Sequence, residues 1–176
     1  FSYVGGFMFH FFKEKSIRVF DSNTILAPVS GFVKRLEDVD DAIFANKAMG
    51  DGIVIVPDGD TLFAPTDGII RSISQDGHTA AIEASNGAKY IIHIGICKNK
   101  TNDKGFKALV SANSKIQVGD KLVKINPEFL KNGHCSDIII VVTNSAEFEI
   151  DILENAHIKA LDPLVKLVKR HSNDEQ

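Results

Sequence analysis

The dipeptide Asn86-Gly87, set between two apolar alternating runs, constrains this chain more than any other feature. Both residues tolerate positive φ, so the pair is the strongest short-range signal for a β-hairpin. Read as a two-residue turn, it sets Ser85 opposite Ala88, His93 opposite Ala80 and His78 opposite Gly95. Side chains alternate with period two, so His78 and His93 are expected on one face as diagonal neighbours. Their Cβ atoms would then lie roughly 5–8 Å apart. Ala80 and Gly95 are small and leave room for two rings.

A histidine pair has a short list of uses. A neutral imidazole nitrogen is a nucleophile and forms covalent intermediates. It can take a phosphoryl group and pass it on, while a second imidazole donates to the anionic oxygens. Imidazole is also a zinc ligand, although two ligands do not complete a site. The plain alternative is two half-exposed strand histidines without a chemical role.

At 176 residues the chain is one domain with enough length for a core. Hydrophobic residues at 44% and charged residues at 24% fit a globular protein. A net charge of -3, without a Lys/Arg cluster, argues against a nucleic-acid partner. Cys97 and Cys135 are the only cysteines and lie in no CxxC, which suits a reducing compartment and a cytoplasmic location. No run has the length of a membrane span. The chain does not begin with Met, which suits a processed or excised product.

Residues 1–20 are aromatic and then basic, and read as a surface tether, an expression remnant or a strand packed on the body. At most they imply peripheral membrane contact. Residues 21–170 form the body, and 171–176 a frayed polar tail. Within the body the signals are strand, turn, strand. Ala27-Pro28-Val29-Ser30-Gly31 is echoed by Ala64-Pro65-Thr66-Asp67-Gly68, and Gly50-Asp51-Gly52-Ile53 by Gly119-Asp120-Lys121-Leu122. Two copies suit an all-β, pseudo-symmetric sandwich or barrel with a few short helices. One helix is expected over 42–49, capped by Asp40 or Asp41, and another over 126–133, with Asn126 as cap, Pro127 first and Gly133 as stop. Residues 161–170 read as strand or helix.

Together these motifs resemble the glucose-type enzyme IIA family of the bacterial phosphoenolpyruvate-dependent sugar phosphotransferase system. The likeness runs from residue 23 to 169. It rests on Ile25-Leu26-Ala27-Pro28-Val29-Ser30-Gly31, Glu37 to Ala45, Gly50-Asp51-Gly52, Phe63 to Gly68, the two histidines, Gly105-Phe106-Lys107, Val118-Gly119-Asp120 and Val141-Val142-Thr143-Asn144. The resemblance implies a duplicated-hybrid β-sandwich. It implies that His93 takes a phosphoryl group from the phosphohistidine of HPr and passes it to a cysteine of a permease IIB domain, with His78 in support. Gly95 would let the backbone approach the His93 ring and fix its tautomer through Nδ1. Ala42, Ile43, Phe44 and Met49 match the family's apolar partner patch, and Asp41 an acidic contact; Ile43 and Phe44 read equally well as core. No cofactor is required, though some members bind zinc through both histidines at a partner interface. Regulated enzymes or transporters are further expected partners.

The chain also departs from the family. Cys97 and Lys98 stand where the family has Asp-Thr, and Asp76 stands where a threonine often precedes the supporting histidine by two. Ile138-Ile139 replaces Thr-Pro. These changes keep a second reading open, a divergent regulator that binds partners through the same face. A zinc site of His78, His93 and Cys97 is disfavoured because Cys97 falls outside the paired strands. A lipoyl- or biotin-type carrier would need a lysine at the hairpin tip, where Asn86-Gly87 stands.

Overall fold

The computed structural model describes residues 20–95, 105–131, 136–152 and 157–171. The N-terminal segment up to residue 19, Cys97, Lys98, Gly133, Cys135 and the tail from residue 172 lie outside the described residues. The described chain is mostly antiparallel β-structure, as the turn-rich sequence predicts. One large sheet contains β2 (Gly31–Arg35), β3 (Asp51–Pro57), β5 (Gly68–Ile73), β6 (Thr79–Ala84), β7 (Lys89–Ile94), β9 (Lys115–Ile116), β11 (Ile138–Val142) and β13 (His157–Ile158). Their order is β13-β2-β3-β11-β7-β6-β5-β9. Two smaller sheets complete the sandwich. In one, β14 (Pro163–Lys169) lies between β1 (Thr24–Leu26) and β12 (Phe148–Ile152). In the other, β10 (Lys121–Ile125) lies between β4 (Thr61–Phe63) and β8 (Phe106–Ala108).

β11 is central because of its composition. Ile138-Ile139-Ile140-Val141-Val142 is an unbroken β-branched run, and every residue of it is buried. Such a run suits a strand covered on both faces. Its even-numbered residues join the main core with Ile53, Ile55, Tyr90, Ile92 and Ile94. Ile139 and Val141 face the other way, into a smaller cluster with Leu36, Val39 and Val54, on which Phe44 and Ala45 pack.

The internal echo has a structural basis. Leu26 N donates to Pro65 O at 3.1 Å and Phe63 N to Pro28 O at 2.8 Å, so the two Ala-Pro turns bond each other reciprocally. Ala27 exchanges backbone bonds with Leu161 and Asp162, as Ala64 does with Gly119 and Asp120. The counterpart of Gly119-Asp120 is therefore Leu161-Asp162, not the Gly50-Asp51 that the sequence suggests; Asp51 opens β3 in the large sheet. Gly119 and Leu161 share a left-handed backbone, with φ of 88° and 68°. The stretch 161–170 resolves as the strand β14.

Both helices are shorter than predicted. The first, α1, is Ala42–Ala45 with Asp41 as cap, its carboxylate accepting from Ile43 N. It ends early because Lys47 turns to φ 55°, its ammonium held by Glu37 at 3.0 Å and Asp51 at 2.9 Å. The second, α2, is Pro127–Leu130, capped by the Asn126 side chain as expected.

A Cβ on Gly119 would meet only the Leu161 side chain, at an ordinary 3.6 Å. The cost of Gly119→Ala is thus the left-handed backbone itself, about 1 kcal/mol. Urea unfolding should show that loss, and unchanged stability would contradict the assigned turn.

Candidate active site

The site is built on one row of residues across the large sheet. Lys34 pairs with Val54, Val54 with Ile139, Ile139 with His93, and His93 with Thr79. Directly opposed residues in antiparallel strands share a face, so the row projects to the outer side of the sheet. That side carries the smaller apolar cluster, and α1 lies over it. The Phe44 ring sits 5.5 Å from the His93 ring, centroid to centroid.

Thr79, not Ala80, faces His93. The predicted register was off by one because the hairpin loop has three residues. Ala84 and Ala88 close it, and Gly87 takes φ 87°. A turn followed by a left-handed glycine is the usual three-residue hairpin loop. Residue 78 would then point to the opposite face if the strand continued through it. It does not: β6 begins at Thr79, and His78 belongs to the preceding turn. Its carbonyl accepts from Ile94 N at 2.7 Å, which ties the turn to β7. The two rings meet 5.5 Å apart at 80°. The predicted proximity is correct, but the turn produces it rather than the pleat.

Each ring is held through Nδ1. His93 Nδ1 lies 2.8 Å from the Thr79 hydroxyl. His78 Nδ1 lies 2.5 Å from Asp76 Oδ1 and 3.2 Å from the Ser74 hydroxyl. Partial burial holds the His93 pKa below the ordinary histidine value, and the charge of His78 adds to this. A hydrogen bond to the Gly95 backbone and the charge of Asp41 act in the other direction without cancelling it. The expected approach of the Gly95 backbone to the ring is therefore present. Asp76 is a firm anion: burial opposes its charge, but hydrogen bonds from His78 and Ser74 outweigh that and lower its pKa.

Among the partner-patch candidates, Ile43 is 56% exposed and Met49 36%. Ala42 is exposed too, while Asp41 and Phe44 are half-buried. Of these residues Phe44 lies against His93 and packs on the smaller apolar cluster, and so links core and surface. The pattern of the sequence did not reveal Thr79, Ser74 or the Lys34–Asp137 ion pair at 3.3 Å. A three-residue reading of the loop finds Thr79. Asp137 is 5% exposed, and its carbonyl accepts from Gly95 N at 2.9 Å, so its pairing anchors the end of β7. Among the described residues no group of three or more His, Cys, Asp or Glu is arranged to hold a metal.

The described chain is thus an antiparallel β-sandwich with two imidazoles side by side, each bonded at Nδ1, and Phe44 of the partly exposed helix α1 against one of them. The family described as the phosphoenolpyruvate-dependent sugar phosphotransferase system, EIIA 1, matches residues 23–150, and the chain belongs to it. The PTS system glucose-specific EIIA component of Bacillus cereus is 37% identical over 126 residues, 71% of this chain and 76% of that protein. The PTS system glucose-specific EIICBA component of Staphylococcus carnosus is 34% identical over 146 residues, 82% of this chain but 22% of that longer protein. The solved glucose permease IIA from Mycoplasma capricolum superposes with a TM-score of 0.69 at 25% identity, covering 81% of this chain and 93% of that one. No described helix is long and apolar enough to cross a membrane.

The histidine assignment can be checked by an NMR titration of the ring protons. The His93 midpoint should fall below the ordinary 6.5, so that the ring is neutral at pH 7. A midpoint above 6.5 would contradict the burial and charge balance described here.

Proposed function

We propose that His93 is the phosphoryl acceptor of this sugar-phosphotransferase component, taking the group from the phosphohistidine of HPr and passing it to a cysteine of a permease IIB domain. The observation that carries this is the engagement of His93 Nδ1 by the Thr79 hydroxyl; with that oxygen accepting, Nδ1 carries the proton and Nε2 the lone pair that attacks. A lowered pKa keeps that nitrogen's lone pair available at neutral pH. The bond from Nε2 to phosphorus forms as the bond from phosphorus to the donor's ring nitrogen breaks, and the bonding pair returns to the donor. In the second step a thiolate sulfur bonds phosphorus, and the Nε2–P pair returns to His93. His93 needs no change of tautomer in either direction.

Charge spreads over the phosphoryl oxygens during such a transfer, so catalysis is positioning and electrostatics. His78, its ring 5.5 Å from that of His93, supplies a donor to those oxygens. No cofactor enters either step. Ala42, Ile43, Phe44 and Met49 give the apolar docking surface for both partners, and Asp41 at its edge meets a basic partner residue. The name of the Staphylococcus relative, an EIICBA component, supports a IIB partner for this chain. Transfer of this kind takes place on the cytoplasmic side of the membrane.

Incubation with phosphoenolpyruvate, enzyme I and HPr, followed by mass spectrometry, tests the proposal. Acid-labile phosphate is expected on His93 and none on His93→Ala, while His78→Ala takes phosphate but fails to pass it on. Absence of phosphate with every HPr tried would overturn the carrier reading in favour of a partner-binding regulator. Ile43→Asp should raise the KM for phospho-HPr about tenfold with kcat little changed, as loss of an interface anchor does. An unchanged KM would remove Ile43 from the docking surface.

A further inference from the structure

Asp76 occupies an unusual place beside the histidine pair. One oxygen, Oδ1, faces both the His78 backbone N–H at 3.3 Å and the His78 ring Nδ1 at 2.5 Å. A single carboxylate thus fixes the ring relative to its own backbone. Ser74 links the same group to the sheet: its hydroxyl accepts from Thr79 N at 3.0 Å and hydrogen-bonds Asp76. Thr79 is the residue that holds His93. Asp76, Ser74, His78, Thr79 and His93 therefore form one connected set of hydrogen bonds.

The chemistry of the acceptor matters. A hydroxyl can donate or accept and would serve either tautomer of His78. An ionised carboxylate only accepts, so Nδ1 must carry the proton. A neutral ring of that tautomer carries a bare lone pair at Nε2 and offers no N–H there to an anion. Only the doubly protonated ring, with Nδ1–H on Asp76, offers an N–H to phosphoryl oxygens. A carboxylate that orients a histidine and stabilises its imidazolium is a recurring arrangement in catalysis.

We propose that Asp76 is a positioning residue for phosphoryl transfer, fixing the proton of His78 on Nδ1 and the direction of its ring beside the phosphoryl group on His93. This rests on the carrier reading above. It gives the chain a carboxylate-held support for the phosphoryl group where the resembled family often has a threonine. Asp76 itself touches neither phosphorus nor partner; it acts through His78.

The test compares wild type, Asp76→Asn and Asp76→Ala as phosphoryl acceptors from HPr charged with phosphoenolpyruvate and enzyme I, and follows onward transfer to a IIB domain. Long-range 1H–15N spectra of His78 are recorded alongside. Both variants should lower the kcat of onward transfer about tenfold, less than the roughly hundredfold or more of removing a directly contacting donor, with KM little changed. Both should also shift the His78 Nδ1 signal away from its protonated, carboxylate-bonded position. Asparagine still accepts the His78 backbone N–H and so preserves the turn. If Asp76→Asn matches wild type in kcat and spectrum, Asp76 is only a turn cap and the proposal fails. A wild-type chain that takes no phosphate overturns the carrier reading itself. A phosphorylated wild type beside an unimpaired Asp76→Asn overturns only the role of Asp76.

Discussion

Strand β11 between β3 and β7 is the contact on which the site depends. Ile139 is opposed by Val54 on one side and His93 on the other, and it is fully buried. A half-buried histidine needs such a neighbour. The apolar surface of Ile139 and Phe44 partly dries the ring, which favours its neutral, nucleophilic form. The same row fixes the direction in which the ring projects, because a one-residue slip would turn His93 into the main core. The β-branched run 138–142 makes that slip costly, since both of its faces are already occupied by buried side chains.

The proposed division of labour between the two histidines matches where each one sits. His93 stands within a paired strand, so its backbone is rigid and its ring is partly desolvated. His78 stands in a turn, more exposed, with hydrogen-bonding groups of its own turn around Nδ1. One ring is therefore kept neutral, and the other is placed beside an anion. Two identical side chains thus meet different surroundings, and burial lowers the pKa of His93. The turn meets the strand through the bond from Ile94 N to the His78 carbonyl, so the spacing between rings is set by backbone rather than by flexible side chains.

Much of this was legible in the sequence, for identifiable reasons. Local chemistry read correctly: Asn86-Gly87 as a hairpin, Asp41 and Asn126 as caps, the paired Ala-Pro turns as a duplication. Those signals depend on a few adjacent residues. The register did not read correctly, because two- and three-residue loops share the Asn-Gly signature and differ only in which residue takes positive φ. The early stop of α1 also escaped, since it arises from Lys47 reaching Glu37 and Asp51 together. Lys34 and Asp137 lie 103 positions apart, and no local pattern could pair them. The true partner of Gly119-Asp120 was hidden because Leu161 adopts a left-handed backbone without the glycine that usually marks it.

The proposed carrier role turns on the two ring nitrogens of His93: Nδ1 is engaged by Thr79, and Nε2 is the nitrogen proposed to react. Long-range 1H–15N and 31P NMR of the phosphorylated chain, labelled at histidine, reads this directly. Phosphorus bonded to His93 Nε2, with Nδ1 still protonated, is the predicted result. Phosphorus on Nδ1, or on any other residue, would contradict it.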